Sequence, residues 1–347
     1  MLRKLGESPI DGIKRIVFLA FLILVLVTSG DAGFASHRST LRAAYSSLGL
    51  PQAPLWIAFE AGYLKEVGLS IEMPFIQNSS TVIQSLLSGE IDYAMVGATP
   101  VVAAGLQGAD VLMIATTIPT MIFSLVVRPD IHRVDDLKRK AIGFGRFGSN
   151  TDFAARLLLE KYRLIPGKDV SLVPTGGGAS TIVALRTGKI QAGVTTEVGM
   201  LEARKLGFKE LVAFKDLGIP FSHNGFAARR SFLKNHELDT LNFLRAVSKG
   251  IYRMLGDRDF STHVIRKISR TEDRSIVEAS YEAHAGRFLQ KVPYTTPTMI
   301  QTVLRQIAET VPAAQNANPA IFIDNRYIQA LEQKGLYADL EEMVKRR

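Results

Sequence analysis

The chain has 347 residues, 47% of them hydrophobic and 22% charged, enough to bury one large core or two moderate ones and too rich in apolar residues for extended disorder. It contains no cysteine, and its six histidines form no HxH or HExxH pair, which excludes disulfides, thiolate nucleophiles, cysteine-ligated metals and the common zinc-helix motif. The formal net charge of +9 is scattered, as in Lys138-Arg139-Lys140 and Lys345-Arg346-Arg347, without a basic stripe or interleaved aromatics, so no nucleic-acid partner is expected.

The N-terminus reads as a targeting segment. Arg3, Lys4, Lys14 and Arg15 precede an unbroken apolar run over 16–27, and small residues follow it up to Gly33-Phe34-Ala35. A positive region, an apolar run and a small-x-small site make a secretory signal peptide over 1–35. The run of twelve is short of the roughly 20 apolar residues that span a bilayer. Retention as an anchor is the alternative. A lipoprotein is not expected, because its anchor needs a cysteine after the signal. The expected location is periplasmic.

From residue 40 short apolar runs alternate with helix-period segments. Strands are predicted at 41–45, 70–76, 93–96 and 111–116, with helices at 52–66, 80–87 and 100–107 between them. An extended run at 124–127 ends at Arg128-Pro129-Asp130. A second series follows, with strands at 141–144, 170–173, 191–195 and 210–214 and helices at 149–162, 179–186 and 197–206. After Pro220 comes one short strand at 225–228 and then helix alone, with apolar faces at Leu244, Val247, Ile251 and Leu255 and at Ile300, Val303, Leu304 and Ile307. A helical tail without its own sheet must pack on an earlier lobe. The prediction is an α/β chain of two lobes, the first discontinuous over 36–126 and 222–347, the second over 127–221. The hinge is expected near 125–129 and 218–225.

Chemical motifs are few. No phosphate loop is present. Gly143-Phe-Gly145-Arg-Phe-Gly148 has the GxGxxG spacing but lacks the acidic residue that the dinucleotide reading places about twenty positions on. No GxSxG elbow supports a serine nucleophile. The loops at the carboxyl ends of the predicted strands remain, where open α/β sheets bind ligands. In the first lobe they carry Ser46, Ser47, Asn78, Ser79, Ser80, Gly97 and Thr99; in the second, Ser149, Asn150, Thr151, Thr175, Gly176, Thr196 and Glu197. Most are Ser/Thr/Asn/Gly loops just before helices, read either as ordinary caps and turns or as one shared cleft. Trp56 is the sole tryptophan, a core residue or a cleft wall, and His223 lies within the second hinge segment.

The order of these pieces resembles the nitrate/sulfonate/taurine-type solute-binding proteins of ABC importers, the broad SsuA-like and NMT1/THI5-like group. Pro54-Leu-Trp-Ile-Ala58, Glu60-Ala-Gly-Tyr-Leu64, Glu66-Val-Gly-Leu69 and Leu86-Leu-Ser-Gly-Glu-Ile-Asp-Tyr93 carry the likeness. So do Val96-Gly-Ala-Thr-Pro100, Gly105-Leu-Gln-Gly-Ala-Asp110, Asp135-Asp-Leu-Lys138, Gly148-Ser-Asn-Thr-Asp-Phe153 and Leu185-Arg-Thr-Gly-Lys-Ile-Gln-Ala192. The resemblance implies a type II periplasmic-binding fold, two Rossmann-like lobes joined by a two-segment hinge, and no cofactor. It implies capture of a small polar molecule (a sulfonate, nitrate, or a pyrimidine- or amine-type heterocycle) for an ABC permease and its ATPase, by a monomer and without catalysis. By position, the contacts are Ser47, Asn78, Ser79 and Thr99 in the first lobe and Ser149, Asn150, Thr151, Thr175 and Glu197 in the second.

Two departures stand out. Many relatives carry a proline- or aromatic-bearing stretch after the third strand of the second lobe, where this chain has Thr195-Thr196-Glu197. A carboxylate there disfavours an oxyanion unless a cation such as Arg146 compensates. The enzymatic branch of the group relies on a cysteine-rich iron motif, which this chain lacks. An enzyme acting on a small heterocycle through Glu197 and His223, and a membrane-anchored ligand sensor, are the alternatives.

Overall fold

The computed structural model describes residues 40–270, 273–285, 288–308 and 311–346. The targeting segment over 1–35 and His37 lie outside the described residues.

Each lobe is built on a five-stranded sheet. The first runs in the order β2 (Ile71–Glu72), β1 (Leu41–Tyr45), β3 (Tyr93–Val96), β10 (Pro220–Ala228) and β4 (Leu112–Thr120). Strand β1 pairs in parallel with β2 and β3, and β10 runs antiparallel to both β3 and β4. The second runs β7 (Ser171–Pro174), β6 (Ala141–Phe144), β8 (Ala192–Thr195), β5 (Ser124–Val127) and β9 (Lys209–Ala213). Here β6 is parallel to β7 and β8, and β5 is antiparallel to β8 and β9. The two sheets share one plan: three parallel strands, then an antiparallel strand delivered by the chain as it arrives from the other lobe.

The chain crosses between the sheets twice, over 121–123 and over 214–219. The first crossing thus precedes the 124–127 strand, which belongs to the second sheet, and lies just before the stretch at which the sequence sets the hinge. The strand expected at 70–76 shortens to β2 and a single bridge from Tyr45 to Phe75. Pro74 has no N–H to continue the ladder, although its carbonyl still accepts from the Tyr45 N–H at 3.2 Å. The strand expected at 225–228 lengthens to all of β10, buried beyond its first residue.

Helices cover the sheets. In the first lobe these are α1 (Ala53–Glu60), α2 (Tyr63–Glu66), α3 (Ser79–Ser88) and α4 (Ala98–Leu106). The second has α5 (Asn150–Lys161), α6 (Gly178–Arg186) and α7 (Glu197–Lys205). The tail supplies α8 (Arg230–Asn235), α9 (Glu237–Gly256), α10 (Arg258–Ser269), α11 (Arg274–His284), α12 (Pro297–Ile307), α13 (Arg326–Gln333) and α14 (Leu336–Lys345). The tail packs on the first lobe as its amphipathic faces require: Leu244, Val247 and Ile251 are buried along α9 against α1, and Ile300, Val303 and Leu304 along α12 against α4 and β10. Phe243 on α9 stacks flat on Tyr93, with ring centroids 4.0 Å apart.

The two lobes also share apolar packing. One buried cluster runs from Val96 and Val101 through Met121, Phe123, Phe214 and Phe221 to Leu125, Phe153 and Leu158. Phe153 on α5 stacks on Phe221 of β10 at 4.9 Å. This seam fixes α5, whose first turn faces the cleft. Phe153→Ala is expected to cost about 3–5 kcal/mol in urea unfolding, with both lobes losing stability in one transition. Separate melting of the second lobe alone would contradict the shared seam.

Candidate functional site

A cavity of about 300 Å³ opens between the lobes. Its wall comes from the carboxyl ends of the parallel strands of both sheets. After β1 come Ser46, Ser47 and Gly49; after β2, Phe75, Gln77 and Asn78; after β6, Gly145, Ser149 and Asn150; after β8, Thr196. The first chain crossing supplies Phe123, and β10 supplies His223 and Asn224. This is where an open sheet of parallel strands places a ligand, since helix N-termini and loop N–H groups converge there.

The second-lobe loop is tightly organised. The Gly145 N–H donates to Thr151 Oγ1 at 2.9 Å, and Thr151 and Ser149 share a hydroxyl hydrogen bond at 3.0 Å. Ser149 caps α5 by accepting from the Asp152 N–H at 3.4 Å. Asp152 in turn accepts from the Gly148 N–H at 2.9 Å and pairs with Arg156 at 2.9 Å. Burial pushes the Asp152 carboxyl above its usual range, opposed by the Gly148 N–H and the Arg156 charge. Two of the three glycines read as a GxGxxG run are spent on packing: a Cβ at Gly143 would stand 2.3 Å from Ile190 Cδ1 and one at Gly145 2.7 Å from Asn78 Oδ1 of the opposite lobe, whereas Gly148 takes a φ of 74°.

Side-chain amides tie the lobes together. Asn78 Nδ2 donates to the Gly176 carbonyl at 2.9 Å, and Asn150 Nδ2 donates to the His223 carbonyl at 3.0 Å. Asn78 takes a φ of 76°, a conformation that costs energy for any residue but glycine and is held here by the contact it makes across the cleft. Behind the first-lobe wall, Asn224 Nδ2 donates to the Pro51 carbonyl at 2.7 Å and Asn224 Oδ1 accepts from Gln52 Nε2 at 3.0 Å. The His223 ring lies 4.4 Å from Phe123, with its Nδ1 accepting from the Ile122 N–H at 3.4 Å. On the outer side, Ser269 at the end of α10 reaches the cavity, and Lys205 of α7 pairs with Asp273 between α10 and α11.

Of the residues singled out in sequence, Ser46, Ser47, Asn78, Ser79, Ser149, Asn150, Thr151, Thr196 and His223 line this cavity. Glu197 lines a small adjoining recess together with Thr196, His223 and Ser280. The others stand back from the wall. Trp56 is fully buried in the first-lobe core, edge-on to Tyr45. Ser80 follows the wall residue Ser79 along α3 without lining the cavity. Thr99 is buried in the first turn of α4. Thr175 turns back to the Phe144 carbonyl and Thr181. Gly176 contributes only the carbonyl that Asn78 holds. Gly97 contributes closeness: a Cβ there would stand 2.1 Å from Asn150 Nδ2 and 2.4 Å from the His223 carbonyl oxygen. Sequence reasoning missed Gln52, Phe75, Gln77, Phe123, Glu202, Asn224 and Ser269, all of which line the cavity.

Among the described residues no Lys or Arg lines the cavity, and Glu202 is the one carboxylate that does. Arg146 does not line the cavity, although its main chain hydrogen-bonds the lining residue Ser149, and Arg270, which follows the lining residue Ser269, does not line it either. Arg270 is close enough to Tyr45 to oppose the upward push of burial on its phenol. Among the described residues no cluster of three metal-ligating side chains occurs, and no helix is long and apolar enough to cross a membrane.

Two lobes on this strand plan, joined by a double crossing around a cleft, define the periplasmic-binding class of fold. The alkanesulfonate-binding protein SsuA of Xanthomonas axonopodis superposes with a TM-score of 0.70 at 18% identity, covering 84% of this chain and all of that one. The periplasmic nitrate-binding protein NrtA of Synechocystis superposes at 0.66 and 16% identity, over 88% of this chain and 89% of that one. In sequence, the NMT1/THI5-like family model matches residues 51–259, and the chain belongs to that family. A curated Bacillus subtilis protein named "Putative binding protein YtlA" is 28% identical over 202 residues, a stretch that spans 57% of this chain and 60% of that protein.

Gly97→Ala drives a methyl group against a main-chain carbonyl as well as the Asn150 side chain. It is expected to destabilise the protein by about 1–3 kcal/mol and to enlarge the radius of gyration in X-ray scattering as the lobes part. An unchanged scattering curve would mean that the Gly97–Asn150–His223 contact does not hold the lobes together in solution.

Proposed function

We propose that this protein captures a small polar solute between its two lobes and presents it to an ABC importer, a permease with its ATPase, outside the cytoplasm. The observation that carries this reading is the cavity itself: hydroxyl, amide and glycine positions from both lobes meet across a double-crossed hinge. Such a construction closes on a ligand by rigid-body motion of the lobes. Family membership and the binding-protein descriptions of its structural neighbours point the same way. The signal-like segment over 1–35 supports export, and processing at Ala35 would leave Ser36 as the first residue. The protein acts as a monomer and performs no chemistry on its cargo, returning it unchanged.

Thermal unfolding against a panel of small solutes tests capture. A true ligand at a hundred times its Kd should stabilise the protein by about 2.7 kcal/mol, and the same ligand should be recovered intact after long incubation. Turnover that disappears in His223→Ala would instead support an enzyme. Intact mass of the exported protein tests processing, with a first residue near Ser36 expected.

A further inference from the structure

The positive charge that is scattered along the sequence is gathered by the fold. Over 40–123 two Lys/Arg stand against six Asp/Glu, whereas over 124–218, the second lobe, sixteen stand against ten. Sheet topology sorts most of that excess to one end. Strands β6, β7 and β8 run parallel with their carboxyl ends at the cleft, so their amino ends lie at the far end of the lobe. Lys138, Arg139 and Lys140 lead into β6, Arg163 and Lys168 stand in the loop before β7, and Lys189 precedes β8. Main-chain hydrogen bonds lock these loops into one platform. The Gln191 N–H donates to the Ala141 carbonyl at 3.0 Å, the Ser171 N–H to that of Lys140 at 2.9 Å and the Arg139 N–H to that of Asp169 at 2.6 Å. Five of the six cations are exposed and Lys140 is half-buried. The acidic groups nearby are turned elsewhere. Asp130 pairs with Arg128 and Asp135 with Arg133, Asp136 accepts from the His132 and Arg133 N–H groups, and Asp169 accepts from the Ile165 N–H at 2.8 Å. Glu160, next to Lys161 at the end of α5, is the exposed carboxylate that remains. Among the described residues none of the six cations has a carboxylate within ion-pair distance.

Apolar side chains stand among these charges. Tyr162 is 39% exposed and Ile165 52% exposed, both inside the run from Lys161 to Lys168. Arg139 and Arg163 hold φ values of 64° and 55°, left-handed conformations that glycine adopts at less cost. Cations around an exposed aromatic and aliphatic pair match an anionic bilayer surface. There Lys and Arg meet headgroup phosphates while Tyr and Ile enter the interface. An acidic protein face would answer the charges and leave Ile165 without apolar surroundings.

We propose that this end of the second lobe docks on an anionic phospholipid surface. Docking there is independent of capture, because the cavity opens at the opposite end of the sheet. The test is co-sedimentation of the exported protein with vesicles of phosphatidylglycerol and phosphatidylcholine in equal parts, against vesicles of phosphatidylcholine alone. Binding to the anionic vesicles is expected at about 0.1 M salt and is expected to fall at least tenfold at about 1 M. The joint reversal Lys138→Glu, Lys168→Glu and Lys189→Glu is expected to lower partition more than tenfold, each cation near the bilayer contributing roughly a fivefold factor. Ile165→Ser is expected to lower it by roughly three- to tenfold, and both variants should unfold thermally as the parent does. Reversing Lys65, Lys234 and Lys334 of the first lobe to Glu changes net charge equally and should leave partition within about twofold. Equal partition into both kinds of vesicle, or equal loss in the two triple variants, would overturn the proposal. So would absence of binding to anionic vesicles, and heat with polyglutamate that the Lys138/Lys168/Lys189 reversal abolishes would then assign the face to an acidic protein.

Discussion

Strand β10 is the constraint on which the rest of the molecule depends. It leaves the second lobe, enters the first sheet between β3 and β4, and is buried on both faces over eight residues. A strand so enclosed must satisfy its main chain on both edges, which it does by antiparallel pairing on each side. Near its start, Phe221 packs against α5 of the other lobe. Two residues later the His223 carbonyl receives Asn150 and the His223 ring faces the cavity. Next to it, Asn224 sets the orientation of Gln52. One strand therefore joins the lobes, closes the cleft and arranges part of its wall.

The counterpart in the second lobe is β5, which enters that sheet between β8 and β9. The shared strand plan of the two sheets follows from this exchange. The second sheet is complete from one continuous segment, β5 to β9, whereas the first is completed only when β10 returns from the second lobe. The apolar seam around Met121, Phe123, Phe214 and Phe221 follows too, because short crossings between buried strands must themselves be covered. The tail adds a third tie, where Lys205 of the second lobe meets Asp273 between α10 and α11.

Much of this was legible in the sequence, and the reason is local. Loops such as Ser149-Asn150-Thr151 announce themselves because capping and turn chemistry act within a few residues. The alternation of strand and helix identified both lobes for the same reason. Membership of β5 was not legible, since its short, mostly apolar run fits either sheet and pairing across the fold decides. Gln52, Asn224 and Phe123 were missed because each lies in a short helix, a central strand or a crossing, away from any glycine- or serine-rich loop. Glu202 reads as an ordinary helix-surface carboxylate until the opposite lobe is placed against it. Trp56 was ambiguous for the opposite reason: aromatic residues serve walls and cores equally well, and only packing separates them.

The position of Trp56 has an optical consequence. It is the sole tryptophan, fully buried, and its ring stands edge-on to Tyr45 with centroids 5.5 Å apart. Tyr45 touches Phe75 at 5.4 Å, and Phe75 lines the cavity. Three aromatic rings thus run from the solvent-facing wall to a single emitter in the core. A cargo molecule that displaces Phe75 perturbs the surroundings of that indole without touching it. The protein carries a single built-in fluorophore joined to the cavity wall through two intervening rings.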